Sequence, residues 1–195
     1  MRSDTRRNKQ RLLRAVAEEV RENPGPLSLQ NIAARAEVAV TSAYRYYASL
    51  DQLLSAYLHQ LMEELAEFSA SSPLSGPKLF EAVLSRWVDL VFEHGKVLVR
   101  LRSRSGYLER LDRQDPVIQT SLEIWERPLA NLLDDQELAD VPMRRALFLC
   151  NALTDPREVL DLHETEGMSA SQITALVASA VKGSLRPHQR ATHPQ

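Results

Sequence analysis

The chain has 195 residues, 44% of them hydrophobic and 26% charged, with six glycines; that is enough for a substantial core, and the scarcity of glycine and of alternating apolar runs argues for an all-helical protein. A single cysteine, Cys150, excludes an internal disulfide and a thiol-rich metal site, and no window approaches the roughly 18 apolar residues of a membrane span, so a cytoplasmic, soluble protein without membrane contact is expected. The formal net charge of −2 is unevenly placed: residues 1–60 hold nine Lys/Arg against six Asp/Glu, a balance of +3, and the rest hold fifteen against twenty, −5, so the N-terminal end is the part suited to meeting phosphate.

After a polar arm, Lys9 to Glu22 reads as a helix, with Leu12, Leu13, Val16 and Val20 at helical spacing. Asn23-Pro24-Gly25-Pro26 stops it, because two prolines around a glycine cannot continue the hydrogen-bond ladder. Ser28 is suited to N-cap a two-turn helix whose Ile32, Ala33 and Ala36 make one small apolar stripe. Glu37-Val38-Ala39 separates it from a third segment, Val40 to Tyr47. Ser49 and Asp51 then open a long amphipathic run to Phe68. The small polar stretch Ser69 to Pro77 reads as a loop.

Beyond it, Lys78 to Glu93 and Lys96 to Leu111 are predicted as two helices. The second alternates like a strand at Val97, Val99 and Leu101, but has no partner strand. Pro116 opens a further helix containing Pro128, which should kink it. Pro142 opens another, bent or broken near Asp155-Pro156 and resuming to about His163, and Ser171 to Gly183 forms the last. The expected organisation is a three-helix head over residues 1–50, a helical body over 51–185, and a disordered tail over 186–195.

The segment from Leu27 to Leu54 resembles the DNA-binding motif of the tetracycline-repressor (TetR) family. Ser28, Ile32, Ala33, Ala36, Val38, Ser42, Tyr44, Tyr47, Leu53 and Leu54 fall at the family's positions with no gap. Three places depart from the pattern: Glu37 stands for the usual turn glycine, Tyr46 for a histidine and Leu50 for a lysine. The resemblance implies a helix-turn-helix head joined by a long helix to a body that binds a ligand and dimerises. It also implies a dimeric repressor on a palindromic double-stranded operator, with DNA contacts from Arg6, Arg7, Ser28, Gln30, Val40, Thr41, Ser42, Tyr44, Arg45 and Tyr46.

A helical wheel reaches a similar surface. If Ala43 and Tyr47 pack on the core, Thr41, Ser42 and Arg45 project to the opposite side, flanked by Tyr44 and Tyr46. Hydroxyls and a guanidinium suit base edges, and phenols suit phosphates. Val40 points inward on this wheel, and reaches a thymine methyl only if the helix rolls. Taken singly, Tyr44, Tyr46 and Tyr47 would suit a core equally well; the spacing of the whole segment is what argues for a reading head.

The resemblance places the dimer contact in the last two helices, roughly Pro142 to His163 and Ser171 to Gly183. It places a small-molecule effector among the helices carrying Trp87, Val91, Leu98, Arg102, Tyr107, Ile118, Leu122 and Trp125. Arg100, Arg102 and Arg104 suit either an anionic anchor or a solvated face. No cofactor is implied. An enzyme is disfavoured: there is no glycine-rich phosphate loop, Cys150 sits in an apolar run, and His59, His94, His163, His188 and His193 are scattered. The alternative is a helical interaction protein whose head has lost DNA binding, suggested by Glu37 and Leu50.

Overall fold

The structure, a computed structural model, describes residues 2–23, 25–133 and 141–186. Among them are ten helices and no strand: α1 (Arg2–Glu22), α2 (Leu29–Arg35), α3 (Val40–Tyr46), α4 (Leu50–Ser71), α5 (Gly76–Arg100), α6 (Tyr107–Asp112), α7 (Pro116–Leu133), α8 (Met143–Leu153), α9 (Pro156–Glu164) and α10 (Ala170–Leu185). The all-helical expectation is met. No helix of the described residues is long and apolar enough to cross a membrane. Of the expected tail, residues 187–195 lie outside the described residues.

Three boundaries differ from the sequence reading, each for a physical reason. The polar arm is helical: residues 2–8 contain no Gly or Pro, Asp4 sits favourably in the first turn, and a helix already nucleated by its packed half extends at little cost. The loop after the long helix shrinks to residues 72–75. The two helices expected between Lys78 and Leu111 are largely one, because α5 runs through Gly95. A single mid-helix glycine costs only about 1 kcal/mol, and buried Val91, His94, Val97 and Leu98 carry the inward stripe across it. The break comes at residues 101–106, leaving α6 short.

The remaining ends follow local chemistry. The Ser28 hydroxyl accepts from the Asn31 amide (3.1 Å) at the start of α2. Asp155 caps α9 with Pro156 beside it, and Ser169 and Gln172 form a reciprocal capping box on α10.

By its contacts the chain divides into two compact units, Met1–Glu64 with Leu90–Arg104, and Leu65–Asp89 with Ser105–Gln195, so α4 and α5 contribute to both. The first unit is built around Leu12, Val16 and Val20 of α1, Ile32 and Ala33 of α2, Ala43 of α3, Leu53, Leu54 and Tyr57 of α4, and Val97 of α5. In the second, Phe80, Val83 and Leu84 of α5, Ile124, Trp125 and Leu129 of α7, Leu147 and Cys150 of α8, and Ile173, Val177 and Val181 of α10 are buried. There α8 packs on α7 and on α10. Burial pushes the Cys150 thiol strongly up, against the opposing influence of its hydrogen bond with Thr154, so it is an inert core group.

Pro128 lies inside α7 and removes the amide that would bond the Ile124 carbonyl. The Ser69 hydroxyl from the end of α4 donates to that carbonyl instead (2.7 Å). Its neighbour Arg127 donates to the carbonyls of Ser69, Ala70 (3.2 Å), Ser72 (2.9 Å) and Leu74 (3.3 Å), and Asn131 accepts from the Gly76 amide (3.1 Å). One face of α7 thus satisfies the open end of α4 and the turn that follows.

Candidate nucleic-acid interface

The head is punctuated by a turn whose backbone is fully accounted for. The Glu37 amide donates to the Ala34 carbonyl (3.0 Å) and the Val38 amide to the Ala33 carbonyl (2.9 Å). These two bonds close a Schellman motif at the C-terminus of α2, with buried Val38 supplying its hydrophobic contact. The residue after the cap must be left-handed, and Glu37 adopts that conformation at φ +50°. A glycine would do so freely. Here the Glu37 carboxylate is instead engaged by Arg11 of α1, which ties the turn to the first helix.

A second tie fixes α2 against α1. The carboxylate of Glu19 is buried, yet both its oxygens are satisfied, one by Arg35 Nε (3.0 Å) and one by Asn23 Nδ2 (2.7 Å). Arg35 also bonds Glu22 (2.6 Å), and that hydrogen bond is the largest of the influences raising its pKa. Lys96 of α5 donates to the Asn23 carbonyl (3.1 Å) just after α1 ends.

With the turn set, α3 follows the wheel except at Ser42 and Val40. Ala43 and Tyr47 are buried in the head core, and Thr41, Tyr44 and Arg45 are exposed, Tyr44 by 49%. Ser42 and Tyr46 are half-buried. Val40 is exposed by 37%, so it lies on the outer face rather than inward as the wheel has it. Ala39 at the N-cap offers no side-chain hydrogen bond, and Val38 just before it is buried in the head core.

Tyr46 is held on both sides: Asn8 Nδ2 of α1 lies 3.5 Å from its hydroxyl and Arg45 Nη2 3.4 Å, with the guanidinium 5.3 Å from the ring centroid. The Asn8 hydrogen bond, then that of Arg45, lowers the Tyr46 pKa. Lys9 lies 5.7 Å from the Tyr47 ring centroid. Arg6 and Arg7 are exposed on the N-terminal turns of α1, Gln30 is exposed on α2, and Ser28 is committed to its cap. The structure therefore gathers Val40, Thr41, Tyr44 and Arg45 on one outward face of α3. The Arg11–Glu37 and Arg35–Glu19 ties were not singled out in the sequence. Sixteen to twenty-six residues separate these partners, and no helical-spacing rule joins them.

The residues expected to surround an effector fall into both units. Trp87, Tyr107, Ile118, Leu122 and Trp125 belong to the second; Val91, Leu98 and Arg102 belong to the first. Trp87 Nε1 donates to the Thr154 carbonyl (3.0 Å), and Trp125 packs on Phe80 with ring centroids 5.9 Å apart. The Tyr107 hydroxyl is buried without a well-formed hydrogen bond; burial pushes its pKa up and the neighbouring Ser121 side chain opposes that. Arg100 pairs with Asp51 (2.7 Å). Among the described residues no group of three or more His, Cys, Asp or Glu side chains is placed to hold a metal ion.

No family model and no curated protein matches the chain by sequence. Solved structures do match by fold. A TetR-family transcriptional regulator from Streptomyces coelicolor superposes with a TM-score of 0.60 at 16% identity, covering 91% of this chain and 99% of its own. The transcriptional regulator FadR from Bacillus subtilis, solved with stearoyl-CoA, gives 0.66 at 17% identity, covering 91% and 99%. A TetR-like regulator from Rhodococcus sp. RHA1 gives 0.59 at 20% identity, covering 91% and 95%. The chain thus has the fold of TetR-family transcriptional regulators over nearly all of its length.

Proposed function

We propose that the chain is a sequence-specific DNA-binding transcriptional regulator, a repressor that binds a palindromic operator as a dimer and responds to a small-molecule effector. The observation that carries the reading is α3: a short helix anchored inward by Ala43 and Tyr47 that presents Thr41, Tyr44 and Arg45 outward. Such a helix suits the major groove, where Arg45 meets guanine edges and Val40 a thymine methyl, while Arg6, Arg7 and Tyr46 serve phosphates. Exposed Phe148 on α8 and Leu176 on α10 support a dimer face. A regulator of the same fold that holds stearoyl-CoA supports a body that takes a ligand.

A gel-shift on the DNA upstream of its own gene tests this reading. Salt-sensitive, sequence-selective retardation is expected, and Arg45→Ala should cost about 1–3 kcal/mol and relax selectivity at the contacted base. Absence of binding at low salt on every genomic fragment would leave a helical interaction protein as the reading.

A further inference from the structure

Within the first unit, a cleft of about 480 Å³ opens between α1, α4 and the C-terminal part of α5. Its size falls in the range of small-molecule sites. Half-buried Leu13, Ala17, Leu61 and Leu90 make an apolar lining. At its base, Tyr57 and His94 are buried edge to face with centroids 5.5 Å apart, and the Tyr57 hydroxyl lies 3.2 Å from His94 Nδ1. These two polar groups satisfy one another and close the cleft from below.

The rim charges are unequally committed. Glu93 lies 3.9 Å from Arg21 and 3.7 Å from His94, and Glu64 accepts from Gln60 (3.1 Å). Arg14 forms no hydrogen bond or ion pair with any described residue. It lies two turns from Arg21, about 10 Å along α1. Gln10, one turn before it, adds amide hydrogen-bonding capacity at the same end.

We propose that this cleft binds a small organic anion with an apolar body, its carboxylate on Arg14 and its hydrocarbon portion on Leu13, Ala17 and Leu61. The site lies in the unit that carries the reading helix, and it does not depend on the DNA-binding reading. Because α1 packs on α2 and α2 on α3, an occupant that joins α1 to α4 grips the helix on which the rest of the head is built.

Titration of the full chain with 2-naphthoate by calorimetry tests the site, with the neutral 2-naphthamide as control. Saturable binding of 2-naphthoate is expected. Arg14→Gln should weaken it about tenfold, the scale of one charge-assisted hydrogen bond, and should leave 2-naphthamide within about twofold of wild type. Ala17→Phe, which fills the lining, should abolish binding of both. Circular dichroism melts of each variant separate loss of binding from loss of fold, and Arg14 is exposed, so its replacement should leave the melt unchanged. No saturable binding of 2-naphthoate at millimolar concentration overturns the proposal. Equal affinity of wild type and a folded Arg14→Gln variant overturns it as well.

Discussion

Glu37 shows how a single residue departs from a pattern without breaking it. The Schellman bonds demand a left-handed residue there, and a non-glycine side chain in that region costs about 1–2 kcal/mol. The exposed Arg11 pair returns at most about 1 kcal/mol. Glu37→Gly should therefore stabilise the chain slightly, by about 0.5 kcal/mol, while Glu37→Val, which is β-branched and loses the pair, should destabilise it by more than about 1 kcal/mol. Urea midpoints of the three proteins decide this. The sequence exposed the departure at Glu37 but not its remedy, since Arg11 reaches the turn only through the fold.

His94 carries a pH dependence. Burial, the largest influence, holds its pKa below the ordinary value, with Glu93 and Glu64 raising it and Arg21 lowering it. Burial likewise pushes the Tyr57 hydroxyl up to about 12, so Tyr57 donates to Nδ1 and His94 stays neutral. Below about pH 6.5 the unfolded chain takes up a proton that the folded His94 refuses, so stability falls as the solution is acidified and levels off only below the depressed folded pKa. The urea midpoint of wild type should therefore drop more between about pH 7 and pH 5 than that of His94→Gln. A larger drop in the variant would assign the acid sensitivity elsewhere.

At the scale of elements, the sequence was most informative where periodicity and punctuation agreed. Stops at Asn23, caps at Ser28 and the Asp155-Pro156 break were all legible, because each uses a local bond or a missing donor. It was least informative where tertiary packing overrode a local signal, as at Gly95 inside α5. The inward face of α3 was readable from Ala43 and Tyr47, whereas the exposure of Val40, at the first position of the helix, was not. Pro128 was visible as a break in the hydrogen-bond ladder, whereas the hydroxyl that answers it comes from Ser69, 55 residues away from the acceptor Ile124. Ser69→Ala strands a buried carbonyl in α7 and should cost about 1–3 kcal/mol in urea unfolding. Ser71→Ala, whose exposed hydroxyl only bonds back within α4 to the Glu67 carbonyl, should cost little.

At the scale of the whole molecule, reading a palindrome requires two heads, and the proposed dimer face is the part of the reading that exposure makes testable. Phe148 is exposed by 41% and Leu176 by 46%, both large and apolar. Leu176→Arg places a charge on the proposed dimer face, where desolvation on association makes it costly. Sedimentation should shift from dimer to monomer, and operator affinity should fall with it, since two linked half-sites bind far more tightly than one. A variant that remains dimeric would place the twofold contact elsewhere.

The Ser69–Pro128 pairing has a historical side. A lineage acquiring Pro128 first passes through a form in which the Ile124 carbonyl has no donor; one acquiring the hydroxyl at position 69 first meets the proline with its partner already in place. The two orders are not equally accessible to selection. Once both residues are present, reverting Ser69 alone is harmful, so the proline entrenches the serine.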